Sequence, residues 1–262
     1  MRNVIVSALA LLLLALQANT DTRPVLHFAI TGQSNAGNNG RGTVAVPGAY
    51  YYAPQATGVN RVVPLTSVRR KWGVEVPFAA AIVEACPGYD ILISKRYLGG
   101  TSIVGWRPSA PNAAWASDMR LVGDGDKKPQ YPLVIATAQA AGDRFGADGV
   151  AGILFIQNEK DSRMPHGAAL YEGELRTLIG AWRQHWGDDD LPVVVMDSHT
   201  SLDLHGGQVH EAIVAVAGSE QGVRMVASRD LTTTDGIHFD NLCLETLGQR
   251  MAAAWLAMEG CE

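Results

Sequence analysis

A chain of 262 residues with 47% hydrophobic and 18% charged side chains suits one α/β domain and excludes wholesale disorder. Its formal net charge of -5 argues against nucleic acid or an anionic membrane as a partner. At the N-terminus, Arg2, the apolar run 4–16 and Gln17-Ala18-Asn19 read as a secretory signal peptide over residues 1–18. The run is shorter than the roughly 20 residues that span a bilayer, so a retained anchor is the weaker reading. The mature chain, 19–262, is then a soluble secreted or periplasmic domain with no membrane association.

Residues 25–31 read as a strand that runs into Gly32-Gln33-Ser34-Asn35-Ala36-Gly37-Asn38-Asn39-Gly40, a polar glycine-rich loop. Residues 41–72 read as a long irregular segment, with Pro47, Pro54 and Pro64 and the tyrosines at 50–52. A helix over 76–86 follows, then a strand at 90–95 ending in Gly99-Gly100-Thr101-Ser102. Residues 132–145 read as a helix, 150–156 as a strand buried on both faces, 168–186 as a long amphipathic helix and 192–196 as a second buried strand. A helix at 208–217, a short strand at 223–227 and a closing helix at 242–258 complete the chain.

Alternating strands and helices predict a three-layer α/β/α sandwich with a central, mainly parallel sheet of the flavodoxin-like kind. Ligands bind beyond the carboxyl ends of such strands, so the polar segments after Thr31, Lys95 and Ile156 should meet at one rim. Ser34 there is a candidate nucleophile, and it needs a base to take its proton. Asp235-Gly236-Ile237-His238 supplies a histidine, with an aspartate three residues earlier to fix its tautomer. The Gly-x-Ser-x-Gly elbow of α/β-hydrolases fails, because Ala36 holds the last position.

Four blocks in order resemble the SGNH hydrolases, in particular the sialate O-acetylesterase and acetyl-xylan esterase branch called carbohydrate esterase family 6. They are Gly32-Gln33-Ser34-Asn35; Gly99-Gly100-Thr101-Ser102-Ile103 with Trp106; the segment 153–161; and Asp235-Gly236-Ile237-His238-Phe239. The closing Gly248-Gln249-Arg250-Met251-Ala252 is similar too. The resemblance implies a cofactor-free and metal-free carboxylic ester hydrolase that removes O-acetyl groups from an acetylated carbohydrate. Ser34 would be nucleophile and His238 base. Asp235 would orient the histidine, with Glu159 competing for that role. The N–H groups of Ser34 and Gly100 and the Gln157 side chain would form the oxyanion hole, and Asn35 and Trp106 would contact substrate. Asn158 departs from the glycine of the branch; it either tolerates a positive φ or aims its amide at the oxyanion. Lys160, a second departure, would neutralise Glu159 and Asp161.

A general lipase or thioesterase of the same superfamily is the alternative enzyme. Asn158 and Lys160 also allow an inactive carbohydrate-binding protein. His199, His205 and His210, with Asp197 and Asp203, fit no metal motif, and His27 reads as a core residue. Arg107 reads as solvated. Cys86, Cys243 and Cys261 leave one thiol over, with Cys86 in contention as partner of either other; oligomeric state stays open.

Overall fold

The computed structural model describes residues 23–109, 111–198 and 204–261. Residues 1–18, expected as a signal peptide, and His199 and Asp203 lie outside the described residues. The strands are β1 (Val25–Gly32), β2 (Gly40–Arg41), β3 (Ala45–Tyr52), β4 (Val63–Thr66), β5 (Lys71–Trp72), β6 (Asp90–Tyr97), β7 (Gly152–Ile156), β8 (Val193–Met196) and β9 (Val223–Val226). The helices are α1 (Pro54–Thr57), α2 (Glu75–Ala85), α3 (Ala113–Leu121), α4 (Tyr131–Phe145), α5 (Pro165–Trp186), α6 (Gly206–Ser219) and α7 (Asn241–Leu256).

Seven strands form one sheet in the order β4-β3-β6-β1-β7-β8-β9, parallel except for β4 at the edge. The central strands carry apolar residues on both faces, as a sheet covered by helices on both sides requires. Phe28, Ile30, Ile91, Ile93, Leu154 and Ile156 pack with α2 and α7. Ala29, Ile153, Phe155, Val193 and Val195 turn the other way, onto α4, α5 and α6. Phe28 sits edge-on to both Phe78 and Trp255, ring centroids 4.9 Å apart in each pair. This is the three-layer sandwich expected.

The segment 41–72 is more ordered than its prolines suggest. β3 adds to the sheet beside β6, β4 folds back on it, and β2 pairs with β5 in a separate ladder. Pro64 is tolerated because β4 is an edge strand. Helix α3, absent from the sequence reading, is capped by Asn112, whose side chain accepts the Trp115 N–H at 2.9 Å.

Register decides the site. Gly32 lies opposite Tyr97 on one side and Ile156 on the other, so the loops leaving β1, β6 and β7 emerge side by side. The strand order switches direction at β1, where such sheets open a crevice.

A disulfide joins Cys86, just past α2, to Cys261, beyond α7, with Cα atoms 5.4 Å apart. Pairing of Cys243 with Cys261 across the last helix is ruled out, because α7 is continuous and Cys243 is a buried free thiol. The bridge closes a separation of 175 residues. Cys86→Ser should lower stability by about 2–5 kcal/mol in urea unfolding, and reductant should lower wild type by the same amount.

Candidate active site

The Ser34 loop begins at Gly32, whose φ is +135°. A Cβ there would lie 1.9 Å from the Ile156 carbonyl oxygen, so only glycine lets β1 turn beside β7. The Gln33 N–H donates to that carbonyl at 2.9 Å, and Ser34–Ala36 form a single 3₁₀ turn closed by the Gly37 N–H on the Ser34 carbonyl. From beneath, Lys95 Nζ donates to Glu75 Oε2 at 2.6 Å, Asn38 Oδ1 at 2.8 Å and the Gly37 carbonyl at 3.2 Å. The ion pair is almost wholly buried, and burial pulls the Lys95 pKa down while Glu75 opposes the shift. Removing one partner of such a pair costs about 3–5 kcal/mol. Neither residue stood out in the sequence, because a buried lysine at a strand end looks like any solvated one.

Gly99 and Gly100 leave β6 beside this loop. A Cβ on Gly99 would sit 3.8 Å from Ser34 Cβ, so the two loops touch. Gly100 has φ +62°, and its carbonyl accepts Lys127 Nζ. Among the described residues the Ser34 and Gly100 N–H groups take no part in backbone hydrogen bonding.

Two buried carboxylates fix the next residues. Ser102 donates its N–H to Asp124 Oδ2 at 2.8 Å and its hydroxyl to Asp161 Oδ1 at 2.5 Å. Asp161 Oδ2 also accepts the Ile103 N–H at 3.0 Å and Gln157 Nε2 at 2.9 Å. Burial, assisted by Asp124, raises the Asp161 pKa to about 6 although its hydrogen bonds oppose the shift. His27 is buried too, bonded to Ser94 Oγ at 2.8 Å and the Gly149 carbonyl at 2.9 Å; burial lowers its pKa to about 4.

These two groups give opposite pH dependences. Between pH 4 and 6 the unfolded chain has lost the Asp161 proton and the folded chain keeps it, so this group's contribution falls as pH rises. The unfolded chain instead keeps the His27 proton that the folded chain has shed, so that contribution rises. Each amounts to about 3 kcal/mol, and the two nearly cancel. Asp161→Asn should therefore unmask the histidine: from pH about 4 to about 6.5 the variant should gain stability relative to wild type, by about 3 kcal/mol in urea unfolding.

The C-terminal block brings the histidine. His238 Nδ1 lies 2.7 Å from Asp235 Oδ2, while Asp235 Oδ1 accepts the N–H groups of Ile237 at 3.0 Å and His238 at 2.8 Å. The bond from His238, and then these N–H groups, hold the Asp235 carboxyl at about 2. Asn35 ties the block to the Ser34 loop. Its Nδ2 donates to Glu159 Oε1 and, at 2.9 Å, to the Ile237 carbonyl, and its Oδ1 accepts the Phe239 N–H at 3.3 Å. Ser34, Gly99, Gly100, Glu159 and His238 line one cavity of about 390 Å³, with Lys160 and Arg163 on its wall.

The model of one protein family, described as carbohydrate esterase, sialic acid-specific acetylesterase, matches residues 25–257. The chain belongs to this family. Among curated proteins no sequence relative matches it. Solved structures support the fold. A protein from Arabidopsis thaliana is 17% identical over 91% of this chain and 100% of its own, TM-score 0.70. A carbohydrate acetylesterase from Xanthomonas citri is also 17% identical, over 88% of this chain and 56% of its own, TM-score 0.66. NanS is 16% identical over 90% of this chain and 98% of its own, TM-score 0.67.

In this acetylesterase-family chain several expected contacts turn elsewhere. Gln157 is buried, and its Nε2 donates to Gln33, Thr101 and Asp161, so its side chain braces the Gly99–Ser102 loop. Asn158 does not adopt a positive φ; its Nδ2 donates to the carbonyls of Met196 at 3.1 Å and Asp197 at 2.8 Å, stitching β7 to β8. Asn35 is wholly buried and holds loops together rather than meeting substrate. Trp106 is 1% exposed and packs edge-on against Phe155, so it is core and not a wall of the site. Glu159, buried and raised in pKa by burial, bonds Asn35 and the Asn158 N–H; it is Asp235 that bonds the histidine.

Lys160 Nζ lies 3.7 Å from Asp124 and makes no ion pair with Glu159 or Asp161. Arg107 is not solvated but clamped between Asp118 and Glu174. His210 bonds Asp197 at 2.7 Å, and no metal-holding group of three ligand side chains occurs among the described residues.

Proposed function

We propose that this protein is an exported O-acetylesterase that uses Ser34, His238 and Asp235 on acetylated sugars. The observation carrying the reading is that a histidine already bonded through Nδ1 to a carboxylate lines the same cavity as Ser34 and the Gly99–Gly100 loop. With Nδ1–H donated to Asp235, Nε2 is left as the base.

In the first half-reaction Ser34 Oγ attacks the acetyl carbonyl carbon and His238 Nε2 takes the hydroxyl proton. The tetrahedral oxyanion is received by the N–H groups of Ser34 and Gly100, each such donor being worth about 10²–10³ in kcat. Collapse breaks the bond to the sugar oxygen, which receives the proton from His238, and leaves acetyl-Ser34. Water, deprotonated by His238, then attacks the acyl carbon; acetate departs and Ser34 recovers its proton. Asp235 stays ionised and stabilises the imidazolium in both halves.

Of the two departures behind the inactive reading, Asn158 is turned away onto the Met196 and Asp197 carbonyls, and Lys160, on the cavity wall, lies 3.7 Å from Asp124, so both Ser34 and His238 still line the cavity. Acetate release from a panel of acetylated saccharides, run beside nitrophenyl acetate and a long-chain nitrophenyl ester, tests the reading. Acetylated saccharides should be turned over and acetyl preferred to long acyl; faster hydrolysis of the long-chain ester would replace it with a lipase. Export is read from residues 1–18, and N-terminal sequencing of secreted protein should find the mature chain starting at Asn19.

A further inference from the structure

The loop that leaves β6 is anchored at both ends and bare in its middle. The Leu98 N–H donates to the Gly32 carbonyl at 3.0 Å, and the Thr101 hydroxyl returns to the Leu98 carbonyl at 2.9 Å. Ser102 gives its N–H to Asp124. Between these ties lies the peptide joining Gly99 to Gly100. Among the described residues neither glycine N–H has a hydrogen-bond partner, and one side chain meets both carbonyls: Lys127 Nζ donates to the Gly100 oxygen and, at 3.4 Å, to the Gly99 oxygen.

A peptide with glycine on both sides is the easiest in a chain to turn over, because no Cβ restrains the dihedrals beside it. Turning it over exchanges its C=O and N–H, which point opposite ways in a trans peptide. Here the exchange decides the chemistry. With the Gly99 carbonyl toward Lys127, the Gly100 N–H faces the cavity that Gly99 and Gly100 share with Ser34. Reversed, a carbonyl oxygen would meet the developing oxyanion. Lys127 stands behind the loop and is itself held. Its Nζ lies 2.9 Å from Asp124 Oδ1, and the same wholly buried aspartate accepts the Ser102 N–H. One carboxylate thus fixes both the cation and the end of the loop it serves. The three N–H donors of an ammonium match the three oxygens present, those of Gly99, Gly100 and Asp124.

We propose that Lys127 is the positioning residue of the oxyanion hole. Its ammonium holds the Gly99–Gly100 peptide with the Gly100 N–H toward Ser34 and, by drawing electron density onto the carbonyl oxygen, strengthens that N–H as a donor. Lys127 acts through the peptide and not on the ester. The inference rests on the Ser34–His238 reading and adds to it the group that orients one of its oxyanion donors.

The test compares Lys127→Met, which keeps length and loses charge, with Lys127→Arg, which keeps charge. On nitrophenyl acetate Lys127→Met should lower kcat about 10–100-fold and leave KM within about twofold, because the hole serves the transition state rather than the bound ester. Lys127→Arg should keep kcat within about threefold of wild type. A trifluoromethyl ketone, which Ser34 would convert to a tetrahedral oxyanion, should bind Lys127→Met more weakly by the factor lost in kcat. The Lys127 side chain is 23% exposed, so a small amine can take its place: ethylammonium should restore kcat to Lys127→Ala and leave wild type unchanged, which a misfolded variant would not show. A further arm needs no turnover. In isotope-labelled protein the Gly100 amide should give one sharp resonance in wild type and a second or broadened one in Lys127→Met, as the peptide samples both directions. Lys127→Met with kcat within about threefold of wild type, or equal losses in the Met and Arg variants with no rescue by amine, would overturn the proposal. Absence of acetate release from wild type, or full release by Ser34→Ala, would instead remove the esterase reading, and the Gly100 resonance would still judge the hold of Lys127 on the loop.

Discussion

Ser34→Ala and His238→Ala each lower kcat for acetate release by on the order of 10⁴–10⁶-fold, and the double variant is hardly worse than either single one. Non-additivity is the informative part. If the serine attacks only when the imidazole removes its proton, deleting either group abolishes the same step. Neither change should disturb the fold. The loop's framework runs through the Ser34 carbonyl, held by Asn39 and Gly37, through buried Asn35, and through Lys95 beneath; none of these involves the Ser34 hydroxyl. The imidazole makes its bond to Asp235 at the protein surface, while the block itself is held by the Thr234 N–H on the His238 carbonyl. Melting temperatures close to wild type, with activity gone, are the expected pair of results.

Asp235→Asn should cost about 10³–10⁴-fold in kcat, because an amide facing Nδ1 no longer favours the tautomer that leaves Nε2 free. Its effect on stability should be small at neutral pH, since the pair is partly solvated. Glu159→Gln should show the reverse balance. Glu159 Oε1 accepts the Asn35 amide, and a glutamine there sets one N–H₂ group against another in a buried position unless it flips and gives up the Asn158 N–H. That costs about 1–3 kcal/mol of stability, with a smaller loss of kcat through the displaced loop. Kinetics and urea unfolding of both variants separate the residue that orients the base from the one that supports it. The lowered Asp235 pKa also has a pH consequence: its contribution is present above about 4 and lost as pH falls through about 2, so the carboxylate holds its charge across any ordinary assay range.

Much of this is readable from the chain because the signals are local. Each strand that positions the site contains a short apolar run, β1 and β6 leading into glycines and β7 into Gln157, and parallel register brings the three loops together. Asp235 and His238 lie within one turn of chain, so their bond is a local event. What sequence could not give was direction. Gln157, Asn158 and Asn35 are amides in the right loops, but the carbonyl or carboxylate each one meets is set by Thr101, β8 and Glu159 respectively, residues remote in sequence. Trp106 follows a glycine-rich block and so looks like a binding wall, yet the following 3₁₀ turn carries it inward onto Phe155. Strands β3 and β4 were hidden by Pro47, Gly48 and Pro64, which break the alternation a strand normally displays. The Lys95–Glu75 pair stayed invisible because its burial follows from α2 packing beside the Ser34 loop.

The central claim is that one serine is made reactive by one histidine. Treating the mature protein with a fluorophosphonate probe and mapping the adduct by mass spectrometry tests it directly. The adduct should sit on Ser34, form in step with loss of acetate release, and vanish in His238→Ala. An adduct on another serine, or acetate release that continues with Ser34 fully modified, would contradict the account.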